Sequence, residues 1–393
     1  MAFNNEGDLI LIVNKYLFPV LLIGSSFLLL AADSLLGDRL PSAGRAIMAG
    51  VYIAPVVLLL LKNSINLRTS LVVLPLLLLS LIYLLSALMT GGGLKYFIFI
   101  VIAAGWYLLG YKWSSIEFKR PALVLLSSVA ALIVAVAYSL FDFSVPKNTV
   151  GSGIFYLLII SILIHIKTDT DKGKLVLGCT VAVLAMYFLD MRGAAFQAMI
   201  LLAGVVFSSK LSFLAKNYLL WVFGFFLALV TIILFVGYSS EIASFSTVEW
   251  YVSELTGRSL HSGRQIIWPV AIELILDEPL FGHGAGFLIN TLAGNETWSA
   301  HNTFLQVAMQ TGVMGLAVLL ITLFHVLKNV QSSRDSDERK FLYMLIWLVV
   351  LLYNCLEVSL VQNAMPIAVI QWLIFGMLNG NDSESKRVQG NNI

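Results

Sequence analysis

Residues 218–237 read Y-L-L-W-V-F-G-F-F-L-A-L-V-T-I-I-L-F-V-G, an apolar run with no charged residue. As a helix rising about 1.5 Å per residue, it is about 30 Å long, the thickness of a bilayer's hydrocarbon core. No water is available there to satisfy the backbone. Such a run therefore crosses as a helix, whose peptide groups bond within the segment. A β-barrel would show short segments of alternating polarity instead.

The same signal recurs on both sides of this run. The chain has 393 residues, of which 59% are hydrophobic and 12% charged. A soluble domain carries about 25% charged residues. Mean hydropathy is +0.91. These values predict an all-α polytopic integral membrane protein with about 12 transmembrane helices. The runs lie near 9–31, 44–61, 70–89, 94–110, 121–140, 150–166, 174–190, 193–208, 218–237, 302–327, 341–358 and 362–379. Asp190-Met191-Arg192-Gly193 divides the seventh from the eighth, because a charge pair and a glycine are costly in mid-bilayer. The resulting organisation is helices 1–9 over 1–237, a large loop over 238–301, helices 10–12 over 302–379, and a polar tail over 380–393. A net charge of +2 gives no reason to expect a nucleic-acid partner. Cys179 and Cys355 both sit in apolar runs and read as core residues. The start M-A-F-N-N-E-G-D lacks the basic region of a cleavable signal, so the first span is expected to be retained.

Charge bias orients the spans. With the N-terminus inside, the inner connections hold Lys62, Arg68, Lys112, Lys119, Arg120, Lys167, Lys172, Lys174, Lys210, Lys216, Lys328, Arg334, Arg339, Lys340, Lys386 and Arg387. The outer side holds Arg39, Arg45, Lys95, Lys147, Arg192, Arg258 and Arg264. Sixteen against seven predicts an N-in, C-in arrangement with residues 238–301 outside. Three outer cations sit at the Arg192 turn or in the large loop, where a function would explain them.

From Gly257 to Gly315 the chain combines Arg, His, Asp, Glu, Trp and Gly. Apolar residues at helical spacing follow Arg264 and end at Asp277-Glu278-Pro279, which predicts an amphipathic helix on the membrane surface with Trp268 as its interfacial anchor. Arg264 then reads either as a snorkelling residue or as a guanidinium aimed at an anion beside a helix start. Gly282-His283-Gly284-Ala285-Gly286 lacks the preceding strand of a nucleotide fingerprint and reads as a turn, with His283 structural or exposed and not catalytic. His301-Asn302 marks the start of the next span. It reads as capping of the span by Ser299 or Asn302, or as a histidine near water suited to accept a proton from a hydroxyl. Arg192 either snorkels beside Asp190 or is a second phosphate-binding cation. Glu357, in N-C-L-E-V-S-L, is an acid in an apolar segment. It could orient His301, pair with an arginine or hold an acceptor. Asp169-Thr170-Asp171 has no Rossmann domain to support a metal role. His165 and His325 fall near inner span ends and read as interface residues.

Taken together, M-R-G-A-A at 191–195, G-R-Q-I-I-W at 263–268, P-L-F-G-H-G-A-G-F at 279–287, H-N-T-F-L-Q at 301–306, T-G-V-M-G at 311–315 and L-E-V-S-L-V-Q-N-A-M-P-I at 356–367 resemble the O-antigen ligase and polymerase superfamily of bacterial envelope glycosyltransferases. The resemblance is specific over about 187–379 and only topological before it. The turn before Arg192 departs from the family's Thr/Ser-rich lead-in. The resemblance implies transfer of a glycan from an undecaprenyl diphosphate carrier at the periplasmic face of the inner membrane, with no nucleotide sugar, metal or other cofactor. It also implies that Arg192 and Arg264 engage the donor diphosphate, that His301 activates the acceptor hydroxyl, and that Glu357 stands where related ligases carry an acid. The acceptor is lipid A–core in a ligase, or a second lipid-linked glycan in a polymerase. The single large loop favours the ligase; the form H-N-T-F-L-Q leans toward the polymerase. A transporter is a different class of reading, but it predicts charges near the midplane, whereas these cluster at one face.

Overall fold

The computed structural model describes residues 67–91, 93–114, 147–168, 172–188, 191–238, 263–290, 297–362 and 365–380, together with residues 53, 247, 250, 251 and 254. The described residues form ten α-helices, one short 3-10 helix (Ser212–Lys216) and one short strand pair. The helices are α1 (Leu67–Thr90), α2 (Leu94–Trp113), α3 (Lys147–Thr168), α4 (Lys172–Phe188), α5 (Arg192–Leu211), α6 (Tyr218–Tyr238), α7 (Arg264–Asp277), α8 (Thr303–Ser332), α9 (Asp337–Asn354) and α10 (Met365–Asn379). The strands β1 (Ile289–Asn290) and β2 (Thr297–Trp298) pair antiparallel, Ile289 opposite Trp298. Five helices are long and apolar enough to cross a membrane, and three shorter ones are apolar over 13 to 17 residues. The expected spans at 9–31, 44–61 (apart from residue 53) and 121–140, Asp169-Thr170-Asp171 and the tail beyond 380 lie outside the described residues.

The break at 190–193 separates two helices. Met191 N–H closes the turn onto the Met186 carbonyl at 3.0 Å. The α6 run has one buried row, Trp221, Phe225 and Leu229, at helical spacing. Phe225 packs edge-on against Phe304 and Trp347. Leu219, Leu220, Phe223, Leu227 and Leu234 point away from the bundle, an apolar face suited to lipid.

Three sequence expectations change. The tenth span is not one straight rod. Gly312, at φ 66 and ψ −168, breaks α8 into a buried first part and a longer second part. The eleventh helix stops at Asn354, so Glu357 lies in the irregular stretch after it and not within a span. The helix begun by Arg264 is not a one-sided interfacial helix. Ile267, Trp268 and Ala271 are buried while Ile266, Val270 and Leu276 are exposed beside Glu273, so α7 has apolar side chains on both its buried and its exposed sides. Trp268 is fully buried and donates its indole N–H to the Ala300 carbonyl at 2.8 Å. It anchors protein to protein, at the centre of a small second core with Ile289, Leu305 and Met309.

The glycine turn explains how a broken helix survives. His283 N–H bonds the Met309 carbonyl at 2.9 Å, Gly284 N–H the Gln310 carbonyl at 3.1 Å, and Val313 N–H the Pro279 carbonyl at 2.8 Å. The loop thus takes up backbone groups that the break releases, which buried chain must have satisfied. The approach is so close that a Cβ on Gly312 would lie 2.1 Å from the Leu280 oxygen, and one on Gly282 2.6 Å from the Thr311 nitrogen. His283 is structural as expected: Nε2 sits 2.8 Å from the Leu274 carbonyl and the ring stacks on Phe287. Cys179 and Cys355 are buried and free.

Candidate active site

Three of the four candidate residues come together at the start of α7, the start of α8 and the stretch after α9. Glu357 lies between the other two. Its Oε1 is 3.6 Å from Arg264 Nη2 and its Oε2 is 3.8 Å from His301 Nδ1. Both distances are too long for hydrogen bonds but within ion-pair range. One carboxylate therefore faces a permanent cation on one side and a titratable ring on the other. With Nδ1 turned to Glu357, Nε2 is the ring nitrogen on the far side.

Arg264 is the first residue of α7, after Gly263 in the left-handed region. Its side chain is 15% exposed, so the snorkelling reading is set aside. Nη2 donates to the Leu356 carbonyl at 2.6 Å, next to Glu357, while Nε is buried with no protein partner. Burial pushes the guanidinium pKa down from its ordinary value, and the Glu357 carboxylate opposes that shift. An arginine stays charged through such a change. The result is a held cation with a spare donor.

His301 is the one non-glycine residue at positive φ among the described residues, at 47°. That conformation costs energy and persists only where the surroundings impose it. Both flanks are fixed. Ala300 N–H donates to Gln306 Oε1 at 2.8 Å and the Ala300 carbonyl accepts from Trp268. Asn302 Oδ1 caps α8, accepting from Phe304 N at 2.9 Å and Leu305 N at 3.1 Å. The capping reading is therefore correct for Asn302, and it leaves His301 projecting from a sharp bend, one-third exposed.

Arg192 opens α5, and nothing is described of its side chain. Its backbone level follows from packing. Ser208 near the end of α5 bonds Glu338 near the start of α9, so the two helices run antiparallel. A Cβ on Gly204 would meet Leu345, in agreement with that register. Sixteen residues separate Arg192 from Ser208 and Glu338 from Asn354, about 24 Å in each helix. Arg192 therefore starts at the level of the Asn354–Glu357 segment, at the same end of the bundle as the other three residues.

Sequence reading missed the polar layer beneath the site. Thr303 Oγ1 lies 2.8 Å from Asn354 Oδ1 and 3.0 Å from the Glu357 carbonyl. Asn354 also bonds Ser359 and Gln371, and Gln371 reaches Tyr156 on α3. Gln306 and Gln310 both donate to the Phe287 carbonyl, fastening the glycine loop to α8. A signal was present: Thr303, Gln306 and Gln310 recur at steps of three and four, a polar stripe on one helix face in a greasy chain.

Such an arrangement can hold an anionic group at Arg264 and accept a proton at His301, with Glu357 bridging the two functions. Residues 175–320 match the family model described as O-antigen ligase, which takes in Arg192, Arg264 and His301. The match ends before Glu357. No curated protein and no solved structure matches the chain.

Proposed function

We propose, from the match of residues 175–320 to the O-antigen ligase family model, that this protein is a membrane glycosyltransferase that moves a glycan from undecaprenyl diphosphate to a hydroxyl of lipid A–core. The observation that carries the reading is the Glu357 carboxylate set between Arg264 and His301. The charge bias of the connections supports placing this site on the periplasmic side.

In the proposed reaction, the acceptor oxygen attacks the anomeric carbon as the bond from that carbon to the diphosphate oxygen breaks. The proton passes to His301 Nε2. Glu357 faces the resulting imidazolium through Nδ1. The departing carrier diphosphate gains one negative charge, which Arg264 stabilises together with Arg192. One direct displacement inverts the anomeric carbon. A charge-stabilising donor of this kind is worth about 10²–10³ in rate, and general-base help about 10²–10⁴. The leaving group is already good, so no second carboxyl acid is required.

A polymerase would use the same donor site with a second lipid-linked glycan as acceptor. Deleting the gene in its host separates the two. Loss of a ligase leaves bare core on a lipopolysaccharide gel and polymer accumulating on the carrier; loss of a polymerase leaves core bearing one repeat unit. An unchanged gel would sink both. For the chemistry, purified protein with glycan-linked undecaprenyl diphosphate and lipid A–core should release the free carrier diphosphate in step with acceptor glycosylation.

A further inference from the structure

His301 and Glu357 are far apart in sequence, on segments with irregular backbone, yet the proposed chemistry needs their separation fixed. The Thr303 hydroxyl joins these segments beside the two residues, and further along Gln310 Nε2 donates to Gln362 Oε1 at 2.9 Å. Thr303 stands two residues after His301, at the start of α8, and is fully buried. Its Oγ1 is 3.0 Å from the Glu357 carbonyl and 2.8 Å from Asn354 Oδ1. It has one proton to share between two acceptors on the far side of the gap.

Asn354 is the last residue of α9 and is also fully buried. It donates to the Val350 carbonyl at 2.9 Å and to Gln371 Oε1 at 3.3 Å. Its Oδ1 accepts from Ser359 Oγ at 3.1 Å and Leu360 N at 3.2 Å. The chain carrying Glu357 is therefore gripped on both sides, from Asn354 before it and at Leu360 after it. Gln371 donates to Ser359 at 2.8 Å and ties the grip to α10. Apolar side chains would fill this volume without the cost of desolvating so many polar groups. What polar groups add is direction: each bond fixes one approach, and a fully satisfied network rigidifies its members.

We propose that Thr303 and Asn354 are positioning residues that set the Glu357 carboxylate against His301, Thr303 acting through the Glu357 backbone. The proposal rests on the glycosyl-transfer reading above. Neither residue touches the reacting atoms. Their effect falls on turnover, because misplacing a catalytic group by about 1 Å can cost about 10²-fold in rate.

The test compares Thr303→Val, which keeps the volume and removes the hydroxyl, with Thr303→Ser, which keeps the hydroxyl. Each full-length protein is measured for glycan transfer and for hydrogen–deuterium exchange across 355–362. The valine variant should lose about 10-fold to 100-fold in kcat, with donor KM within about threefold of wild type. Its 355–362 amides should exchange about tenfold faster. The serine variant should restore both. If Thr303→Val misfolds, Thr303→Ala asks the same question without steric risk. Equal kcat in the valine and serine variants overturns the proposal, as does a kcat loss with unchanged exchange. If the wild type transfers no glycan, the functional reading fails by itself, and the valine–serine contrast in exchange still decides whether the hydroxyl holds the loop.

Discussion

At the scale of residues, His301 carries two demands that separate experimentally. Its ring serves the proposed proton transfer, while its backbone occupies a left-handed conformation. Asn tolerates that conformation better than Ala. We therefore expect His301→Asn to retain wild-type thermal stability and His301→Ala to melt slightly lower, with both losing about 10²–10⁴ in transfer rate. Differential scanning fluorimetry beside the transfer assay reads both effects. Arg264→Ala should lower turnover by about 10²–10³ in protein that still assembles; near-normal turnover would remove the arginine from the diphosphate. Glu357 gives a prediction of opposite sign for binding. Its carboxylate and a diphosphate seek the same guanidinium. Glu357→Gln should thus bind a polyprenyl diphosphate more tightly while turning over more slowly, as read by titration calorimetry and initial rates.

Among elements, α8 shows best what sequence could and could not reveal. Its existence and apolar character were legible from periodicity, and its cap was legible as Ser299 or Asn302, of which the structure uses Asn302. Its break was not, because glycine in an apolar run gives no sign of which backbone groups will replace the lost helical bonds. Those come from Pro279, His283 and Gly284, about 30 residues earlier. Trp268 fails for a related reason. An aromatic among aliphatics near a membrane reads as an interfacial anchor, but only the tertiary contact with Ala300 shows that its N–H is spent inside the protein. Glu357 was found by its chemistry and misplaced by its surroundings. The apolar run around it continues past the end of α9, and only the cap-like bonds of Asn354 show where the helix stops. Gly312→Ala tests the joint: the added methyl meets the Leu280 carbonyl and the positive φ is lost to strain. It should destabilise by roughly 2 kcal/mol or more and expose the 279–287 loop to protease.

Over the whole molecule, the candidate site and its counterweight lie at opposite ends. Lys172, Ser208 and Glu338 join the starts of α4 and α9 to the end of α5, with Lys172 Nζ 2.8 Å from Ser208 Oγ and 3.3 Å from Glu338. The Ser208 hydroxyl first, then Lys172, hold the Glu338 carboxyl below its usual range. A depressed pKa in the folded state stabilises above the ordinary glutamate range, and that contribution is lost as pH falls through the folded value. Acid should therefore loosen this end, and Glu338→Gln should flatten the melting-temperature profile in that acidic window while leaving turnover at neutral pH unchanged. Toward their C-terminal ends, α2 and α10 meet almost backbone to backbone. A Cβ on Gly110 would lie 2.1 Å from the Leu373 oxygen, and one on Gly376 2.0 Å from the Tyr107 oxygen. Such small-residue contacts drive association of helices in lipid. They also set a timetable for biosynthesis. One of the first described helices waits for the last, so a nascent chain leaves the α2 groove unfilled until α10 has been made. A stop codon just before α10 would release a chain that carries Arg192, Arg264, His301 and Glu357 but not the helix that fills this groove, and quality-control proteases would meet it before any substrate did.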